Sequence, residues 1–330
     1  MLLDGQDSHA VARAAQALAA GELVGFPTET VYGLGARADD DAAVAKIFAA
    51  KGRPADHPLI VHVASPEEAR AFAADWPPVA QRLTASLWPG ALTVIVPRLS
   101  HMAAAAAGGQ SSIGLRCPSH PVAQALLRQA SSLGVKGVAA PSANRFGRIS
   151  PTLARHVIDE LGEALLVLDG GACQGGIESS IVDCTRGHPV LLRPGVISRT
   201  RLEAVAGEPL LDRDEAAPRA SGTLEAHYAP RAKLRLMSAA LLRTALQMLD
   251  DPAKAPALKL AVYCRTVPKS AAPGAHYRRM PAEPAPAAHE LFAVLRELDD
   301  QGAHLIWVEE PPATPEWDGV RDRLQRAAAA

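Results

Sequence analysis

The sequence lacks any segment that would hold it in a membrane and any cysteine pattern that would bridge it. No run of about 18 apolar residues occurs in its 330 residues, so no transmembrane helix is predicted. The N-terminus has no basic segment followed by an apolar one, so no signal peptide is predicted. The four cysteines show no CxxC spacing, so neither a disulfide framework nor a structural zinc site is expected. We therefore expect a cytoplasmic protein.

The common nucleotide and hydrolase motifs are also missing. GxxxxGK[ST] is absent, which excludes a P-loop NTPase, and no GxGxxG follows a predicted strand. Neither the HExxH zinc pattern nor the GxSxG motif of a serine nucleophile occurs. A nucleotide bound by this chain must therefore use another kind of site.

The chain has little net charge. Its formal charge is −1, which argues against a polycation that coats nucleic acid, so an anionic substrate must be met by a local cluster of Lys and Arg. A hydrophobic fraction of 48% with 21% charged residues is typical of a globular protein. A length of 330 residues predicts two domains.

The first two hundred residues alternate helical and strand patterns. The Ala-rich HAVARAAQALAAG predicts a helix, and a second helix is predicted to begin with Asp41 as its cap. Short apolar segments predict strands, namely ELVGF, PLIVHV, ALTVIVP, SIGLRC, VKGVAA, ALLVLDGG, SSIVDCT and PVLLRPG. Helical stretches such as PVAQALLRQA separate several of them. The pattern predicts an α/β domain with a buried, mixed or partly parallel sheet.

The C-terminal part is predicted to form a separate unit. From Gly207 to about Leu224 the chain is polar and aperiodic, which indicates an interdomain linker. A helix near Ser238–Leu249, the strands LKLAVYC and HLIWVEE, the helix HELFAVLREL and a last helix follow. This order predicts a small Rossmann-like α/β unit without a dinucleotide fingerprint.

The segment PTETVYGLG, residues 27–35, follows a predicted strand directly. Thr28, Glu29 and Thr30 put two hydroxyls and a carboxylate at the strand exit, where open α/β sheets bind ligands. Its glycines let backbone N–H groups approach a ligand closely. The alternative is a tight turn with Tyr32 in the core, and periodicity alone favours that alternative.

Four further positions carry cations or an imidazole. Lys51 and Arg53 are predicted just past the second helix in a stretch held by Pro54, and both could reach one polyphosphate; the alternative is a solvated surface pair. His62 lies between apolar strand residues and either faces a pocket or fills a core position. Arg116 ends a strand and is costly to bury unless it meets a carboxylate or a phosphate.

Two hydroxyl-rich segments complete the set. APSANRFGRISPT carries Ser142, Asn144 and Ser150 in a loop whose last residues, SPT, are also predicted as a helix start. GGIESSIVDCT and LLRPG place Ser179 and Arg193 at strand edges. Repeated cations and hydroxyls at strand exits suit an anionic substrate better than chance surface charge does.

Taken together, these segments match a known family. The chain resembles the YrdC-type threonylcarbamoyl-AMP synthases, in particular the long members with an added C-terminal domain. The shared segments, in order, are FPTETVYGLG, KGRP, PLIVHV, LWPGALT, GLRCPSHP, APSANRFGRIS, GGIESSIVD, LLRPG and HYAP. The resemblance implies a YrdC-like catalytic domain with a twisted, mixed sheet over residues 1–206, a linker that acts as a lid over 207–233, and a small α/β domain over 234–330.

The resemblance also implies a reaction. The amine of L-threonine captures CO2, supplied as CO2 or bicarbonate, and the resulting carboxylate attacks the α-phosphorus of ATP, so that pyrophosphate leaves. A separate downstream transferase then moves the threonylcarbamoyl group to an adenosine of tRNA. Mg²⁺ is expected as a cofactor held mainly by the ATP phosphates, with no metal ligand from the protein. A weak contact with tRNA or double-stranded RNA is a further expectation.

Site residues follow from the matching motifs. The resemblance implies a threonine pocket of Thr28, His62, Arg116, Ala140 and Ser179, with Arg116 pairing the substrate carboxylate. It implies an ATP site of Lys51, Arg53, Ser112, Ser142, Ser150, Arg193 and Tyr228. No catalytic nucleophile is assigned, because Lys51, Arg53 and Arg116 are expected to act by positioning and charge neutralisation. One departure is His57, at a position where the family usually has Asn.

Two alternatives stay open at this point. A carbamoyltransferase could use the same domain type, but such proteins carry extra zinc-finger or acylphosphatase domains, and this chain has no CxxC pairs and too little length for them. A noncatalytic RNA-binding module is the second alternative. The near-neutral net charge does not favour it.

Overall fold

The computed structural model describes residues 1–249, 259–269 and 275–330, which form two compact units. The first unit contains residues 1–146 and 150–223, and the second contains residues 147–149 and 224–330. The predicted linker is thus divided between the units, with residues 207–223 in the first. No helix among the described residues is long and apolar enough to cross a membrane.

The first unit alternates strands and helices along the chain. Its strands are β1 Leu2–Asp4, β2 Val24–Phe26, β3 Gly33–Arg37, β4 Ile60–His62, β5 Leu92–Pro97, β6 Ser112–Arg116, β7 Val138–Ala139, β8 Leu166–Asp169, β9 Ser180–Asp183, β10 Val190–Arg193 and β11 Leu211–Asp212. Its helices are α1 Ser8–Ala19, α2 Asp41–Lys51, α3 Pro66–Arg70, α4 Pro78–Leu87, α5 Pro121–Ser132, α6 Ala154–Leu161 and α7 Arg199–Ala206. Every strand predicted from an apolar segment of this unit is confirmed.

The strands form one sheet in the order β1-β8-β2-β3-β7-β4-β6-β5-β9-β10-β11. Parallel pairs (β4 with β6, and β5 with β9) alternate with antiparallel pairs (β5 with β6, and β3 with β7). The predicted mixed α/β sheet is therefore confirmed. Because the central strands are buried on both faces, they consist of short apolar runs rather than of alternating apolar and polar residues.

Three strands of this unit, β1, β3 and β11, were not predicted, and β3 is the one in the middle of the sheet. The glycine-containing GLGAR forms β3, which pairs with β2 on one side and with β7 on the other. A Cβ at Gly35 would lie 2.8 Å from Val138 Cγ1 and 2.9 Å from Phe26 Cε1, so only glycine permits this close packing. The tight-turn interpretation is therefore right for residues 28–31 and wrong from Gly33 onward.

The ends of two helices differ from the prediction. Asp40, not Asp41, caps α2, because its carboxylate accepts hydrogen bonds from the amides of Ala42 and Ala43. At the other end Lys51 is still helical, and the chain leaves α2 through Gly52 in the left-handed conformation rather than through an extended stretch. The predicted helix start at residues 150–152 is wrong, because α6 begins at Ala154.

The second unit is a smaller α/β fold. Its described elements are β12 Lys233–Met237, α8 Ala239–Leu249, β13 Leu260–Cys264, β14 His276–Arg279, α9 Pro284–Asp300, β15 Leu305–Glu309, a 3-10 turn over Pro315–Trp317 and α10 Asp318–Ala328. The four strands are all parallel, in the order β12-β15-β13-β14. The prediction of a small α/β unit is confirmed, although β12 and β14 were not predicted as strands.

A buried carboxylate fixes one loop of this unit. Glu309, at the end of β15, is 1% exposed and accepts hydrogen bonds from the amides of Arg265, Thr266 and Val267 and from the Thr266 hydroxyl. Burial raises the pKa of Glu309, but these hydrogen bonds outweigh burial and lower the pKa below its ordinary value of 4.5. The loop after β13 is thus held by one side chain.

We expect Glu309→Ala to destabilise the second unit by about 3 kcal/mol, because three amides lose a charged acceptor. Hydrogen exchange of the Arg265, Thr266 and Val267 amides and urea unfolding measure the effect. Glu309→Gln is the control that keeps the size of the side chain and one acceptor. Since the folded pKa is depressed, the contribution is present above pH 4.5 and is lost as the pH falls below it. Unchanged amide protection in the Ala variant would contradict the prediction.

Candidate functional site

Residues predicted to bind substrate share one face of the large sheet. His62 pairs in register with Arg116 on the neighbouring parallel strand, and Ile60 pairs with Gly114. Directly paired residues lie on the same face, as do residues two apart on one strand. We call this surface the site face; it comprises Ile60, His62, Ser112, Gly114, Arg116, Thr93, Ile95 and Ile181.

A small, open cavity lies on the site face. Its apolar floor is made by Ile60, Ile95 and Ile181. A Cβ on the central Gly114 would be in van der Waals contact with this floor, 3.5 Å from Thr93 Cγ2 and 3.6 Å from Ile60 Cγ1. The cavity is also lined by Ser112, Gln110 and residues 219–221 of the predicted linker. An apolar floor with a few polar groups at its edge is typical of a small-molecule site.

Residues 219–221 are held in place by polar contacts within the first unit. The Gln110 amide exchanges two hydrogen bonds with the Arg219 backbone, at 2.8 and 3.0 Å. The Arg219 guanidinium lies 2.9 Å from Asp56 and donates to the Gly108 carbonyl. Arg193 donates to the Ser221 carbonyl at 2.8 Å. The part of the predicted linker before residue 224 therefore covers one edge of the cavity.

At the end of β6, Arg116 is buried and ion-paired. Its side chain is 4% exposed, and its Nη2 donates to Glu29 Oε1 at 2.6 Å. Its Nε donates a longer bond of 3.4 Å to the Gly90 carbonyl. Burial raises the pKa of Glu29, yet the Arg116 guanidinium and its hydrogen bond bring that pKa below its ordinary value. The requirement for a carboxylate beside Arg116 is thus met by Glu29 within the protein.

The neighbouring imidazole is neutral. Burial, together with the positive charge of Arg116, lowers the pKa of His62 to about 3. Its Nδ1 lies 3.3 Å from the Ile60 carbonyl, and its ring meets Phe26 edge-on with centroids 6.2 Å apart. His62 can therefore donate or accept a hydrogen bond at neutral pH without adding charge next to Arg116.

Thr28 shapes the loop that carries Glu29. Its hydroxyl donates to the Val31 carbonyl at 2.6 Å and accepts from the amides of Thr30 and Val31. The side chain is 2% exposed. The loop between β2 and β3 is therefore closed on itself by one hydroxyl, as in an ST turn.

Lys51 is a buried cation whose partners are carbonyl groups. Its Nζ donates to the backbone oxygens of Ser142 and Asn144, and the side chain is 4% exposed. Burial and then the nearby Arg53 lower the pKa of Lys51 far below its ordinary value. The lysine thus ties the end of α2 to the loop that contains Ser142, and the solvated-pair alternative is wrong for it.

Arg53 is buried as well. Its Nη2 donates to the Pro58 carbonyl at 3.0 Å and lies 3.4 Å from the Ser221 hydroxyl. Its guanidinium lies 5.6 Å from the centre of the Phe146 ring, which His57 meets edge-on at 5.4 Å. Arg53 therefore connects the loop after α2 to residue 221.

Arg193 and Ser179 form a second polar group at the site face. The Arg193 guanidinium donates twice to the Ser179 carbonyl, at 2.9 and 3.2 Å, and its Nη2 lies 3.2 Å from the Ser179 hydroxyl. The same hydroxyl lies 2.8 Å from Thr93 Oγ1. A Cβ at Gly195 would lie 2.4 Å from the Ser180 amide, so glycine is required where the chain passes this segment.

The remaining predicted residues fall in the first unit with one exception. Ser150 donates to the carboxylate of Glu178, Ser112 opens β6 at the cavity, and the Ala140 amide donates to the Ile60 carbonyl. Tyr228 lies in the second unit, where its ring packs 5.4 Å from that of Phe292. Its predicted role at ATP stays a prediction.

Some polar groups of the site were not predicted. Glu178, Thr93 and Gln110 contact predicted residues or line the cavity. Glu29 was expected only as a carboxylate at the strand exit, and its contact with Arg116 was not predicted. The cost of burying Arg116 could have identified the need for Glu29, because a strand-end Arg predicts an acidic partner. The sequence carries no comparable signal for Thr93 or Gln110.

Comparison with known proteins identifies the family of the chain. The family model described as Telomere recombination matches residues 16–195, and the model described as Threonylcarbamoyl-AMP synthase, C-terminal domain matches residues 197–329. A threonylcarbamoyl-AMP synthase of Bacillus subtilis is 37% identical over 96% of this chain and 92% of its own length. That of Schizosaccharomyces pombe is 34% identical over 93% and 85%.

A solved structure agrees over nearly the whole chain. The crystal structure of Pyrococcus abyssi Sua5 complexed with L-threonine aligns with a TM-score of 0.88 and 33% identity, over 98% of this chain and 95% of that one. The matches define the class as nucleotidyl-transferring enzymes. The chain belongs to the threonylcarbamoyl-AMP synthase family, in its long two-domain form. The predicted family and activity are confirmed.

Proposed function

We propose that this chain joins L-threonine, CO2 or bicarbonate, and ATP to give threonylcarbamoyl-AMP and pyrophosphate at the site face of the first unit. The carbamate formed on the threonine nitrogen attacks the α-phosphorus of ATP. A new oxygen–phosphorus bond forms, the bond to the oxygen bridging to the β-phosphorus breaks, and pyrophosphate leaves. The product serves threonylcarbamoyladenosine formation in tRNA.

The observation that carries the proposal is the burial of four predicted cations in one unit. Lys51, Arg53, Arg116 and Arg193 are 2–7% exposed although they come from three separate parts of the sequence. Burial of a cation is costly, and anionic groups offset that cost. A carboxylate substrate together with a triphosphate supplies such groups, and the cations in turn reduce the repulsion between two anionic reactants.

The roles follow from position on the site face. Arg116 and neutral His62 are directly paired on neighbouring strands, so this end of the face suits the threonine carboxylate. Arg116 is hydrogen-bonded through Nε and Nη2, and bidentate pairing of a carboxylate is the geometry that guanidinium favours. Thr28 and Ala140 frame the same end.

The phosphates are assigned to the cations near the linker. Lys51 and Arg53 lie at the end of α2, next to the loop with Ser142, and Arg53 reaches Ser221 at the cavity edge. Ser112 and Ser150 add hydroxyls. Little covalent chemistry is required of the protein, because holding two substrates in reactive contact can by itself supply about 7–11 kcal/mol of the barrier.

Mg²⁺ is proposed to enter with ATP. Among the described residues, no group of three or more His, Cys, Asp or Glu side chains is placed to hold a metal ion. Glu29 is engaged by Arg116 and Ser119, and Glu178 accepts from Ser150. This donor set fits an ion carried by the phosphates rather than one caged by the protein, and such an ion would neutralise charge on the leaving pyrophosphate.

Pyrophosphate release tests the function directly. We expect release from ATP only when L-threonine and bicarbonate are both present, because the attacking carboxylate forms only from both. Each substrate is omitted in turn, with carbamoyl phosphate offered separately to test the carbamoyltransferase alternative. Release that continues without threonine would refute the assignment. Salt-sensitive RNA binding without threonine-dependent ATP use would instead support the RNA-binding alternative.

The product implies further partners. A mixed anhydride with AMP hydrolyses in water, so a downstream transferase that consumes it is expected. For this chain itself we propose only a weak contact with tRNA or double-stranded RNA. The cytoplasm is the expected location because ATP, threonine and tRNA occur there. Tyr228 and the segment around it are proposed to limit access of water to the anhydride.

A further inference from the structure

The Glu29–Arg116 pair is the feature of the site that the substrate assignments leave unexplained. The two side chains are 14% and 4% exposed and come from the loop after β2 and the end of β6. Their 2.6 Å contact is the one ion pair of Arg116 among the described residues. Glu29 was not among the residues implied for threonine or ATP.

Glu29 is itself held on both sides. Its Oε2 accepts from the Ser119 amide at 3.0 Å, while Oε1 faces Arg116. Its backbone carbonyl accepts from the Gly175 amide at 2.7 Å, and a Cβ at Gly175 would lie 3.0 Å from that carbonyl. The hydroxyl of Thr28, the preceding residue, closes the same loop. A carboxylate fixed at these points presents a rigid anchor to the guanidinium.

The anchor leaves one end of Arg116 available. Nε and Nη2 are used by Gly90 and Glu29, whereas the described residues offer no hydrogen-bond partner to Nη1. A guanidinium is planar, so fixing Nε and Nη2 fixes the direction of the Nη1 hydrogens as well. An arginine without such an anchor would have to lose side-chain freedom when a carboxylate binds, which weakens binding.

We infer that Glu29 is a positioning residue for the amino-acid substrate. It holds Arg116 in the orientation in which the remaining N–H groups of the guanidinium donate hydrogen bonds to the substrate carboxylate. The inference rests on the proposed function, in which Arg116 binds threonine. Because Glu29 acts through Arg116, its influence is confined to the carboxylate of the amino acid and does not extend to ATP.

The first test is a kinetic one on Glu29→Gln in the full chain. The amide keeps the length of the side chain but removes the charge-assisted bond to Nη2. We expect KM for threonine to rise about tenfold or more, with KM for ATP changed less than about twofold. Equal rises in both constants would overturn the inference, because they would indicate general damage to the fold.

A matched control is available at Glu68. Its carboxylate also accepts one backbone amide, from Ala64 at 2.9 Å, and one side-chain donor, from Ser131 at 2.8 Å, but it has no contact with Arg116. Glu68→Gln is expected to leave both KM values within about twofold of the unmodified chain. A rise in the threonine KM equal to that of Glu29→Gln would overturn the inference.

The second test separates the carboxylate from the rest of the amino acid. Calorimetric titration compares L-threonine with L-threoninamide, in which a neutral amide replaces the carboxylate. In Glu29→Gln we expect threonine affinity to fall about tenfold and threoninamide affinity to change less than about twofold. Equal losses for both ligands would show that Glu29 acts on the pocket as a whole and would overturn the inference.

Two failures are distinguishable. If the unmodified chain does not bind threonine, the proposed function fails. If it binds threonine and Glu29→Gln binds both ligands unchanged, only the positioning role fails. Should Glu29→Gln not fold, Glu29→Asp keeps the charge but withdraws the anchor by one methylene, and the same selective loss of threonine affinity is expected.

Discussion

Lys51→Met is expected to lower kcat/KM for ATP by at least about 10²-fold, the loss typical of removing one preorganised charge from a phosphoryl-transfer site. Lys51 is 4% exposed, and its Nζ meets two backbone carbonyls rather than a carboxylate. A triphosphate is therefore the group that would balance its charge. Methionine fills a similar volume without charge, so the substitution tests electrostatics rather than packing. Pyrophosphate release at varied ATP measures the effect.

The same helix provides the control. Lys46 also lies on α2, but its side chain is 44% exposed and forms a surface ion pair with Glu22. Lys46→Met is expected to leave kcat/KM within about twofold, because surface ion pairs contribute little. If Lys51→Met folds, as judged by circular dichroism, and keeps more than about a third of the activity, Lys51 does not act on the phosphates.

The fold was largely predictable because its strands are short apolar runs between helices. Segments such as LTVIVP and VLLR are mostly apolar and are buried in the sheet, so their composition alone identifies them as strands. GLGAR was missed because glycine has a low strand propensity, and its pairing with β2 and β7 depends on residues far along the chain. Long-range pairing decides such segments, and a local pattern does not contain it.

The misplaced start of α6 has a related cause. Ser150 has the composition of a cap, but its hydroxyl donates to the carboxylate of Glu178, which is 28 residues away, and the helix begins only at Ala154. The Tyr32 amide also donates a hydrogen bond to the Pro151 carbonyl, which keeps this segment extended. The Ser150 hydroxyl therefore bonds to a residue distant in sequence and not, as the local motif predicts, to the first turn of the helix.

The candidate site, like the fold, could be predicted from the sequence only in part. Lys51 and Arg116 could be singled out from their motifs, and the cost of burying a strand-end Arg indicates an anionic partner for Arg116, but their contacts with substrate stay predictions. The groups that hold these cations were not predictable, since Glu29 was placed only at a strand exit and Ser221 only in the linker, and they contact Arg116 and Arg53 only in the fold. The sequence therefore indicates which charged and polar groups are available, whereas the fold determines how those groups are placed relative to one another.

Arg116→Met is expected to reduce kcat/KM for threonine by at least about 10²-fold and to destabilise the first unit, because it leaves the buried Glu29 carboxylate without its cation, at a cost of roughly 3–5 kcal/mol. Loss of activity in this variant alone is therefore ambiguous. Thermal unfolding, measured with threonine-dependent pyrophosphate release, separates the two effects. Unchanged kcat/KM for threonine would contradict the proposed role of Arg116.

The double variant Arg116→Met/Glu29→Gln resolves the ambiguity, since it replaces the ion pair by two neutral side chains. We expect it to recover most of the lost stability but none of the activity. The pH response gives a second check. In the unmodified chain the pKa of Glu29 is depressed, so its stabilising contribution is present at neutral pH and is lost as the pH falls through that pKa. Without Arg116, burial alone raises the pKa of Glu29, and the destabilisation should instead be relieved on acidification. If the stability of both proteins changes equally as the pH falls from neutral to below 4.5, the pair is not the source of the effect.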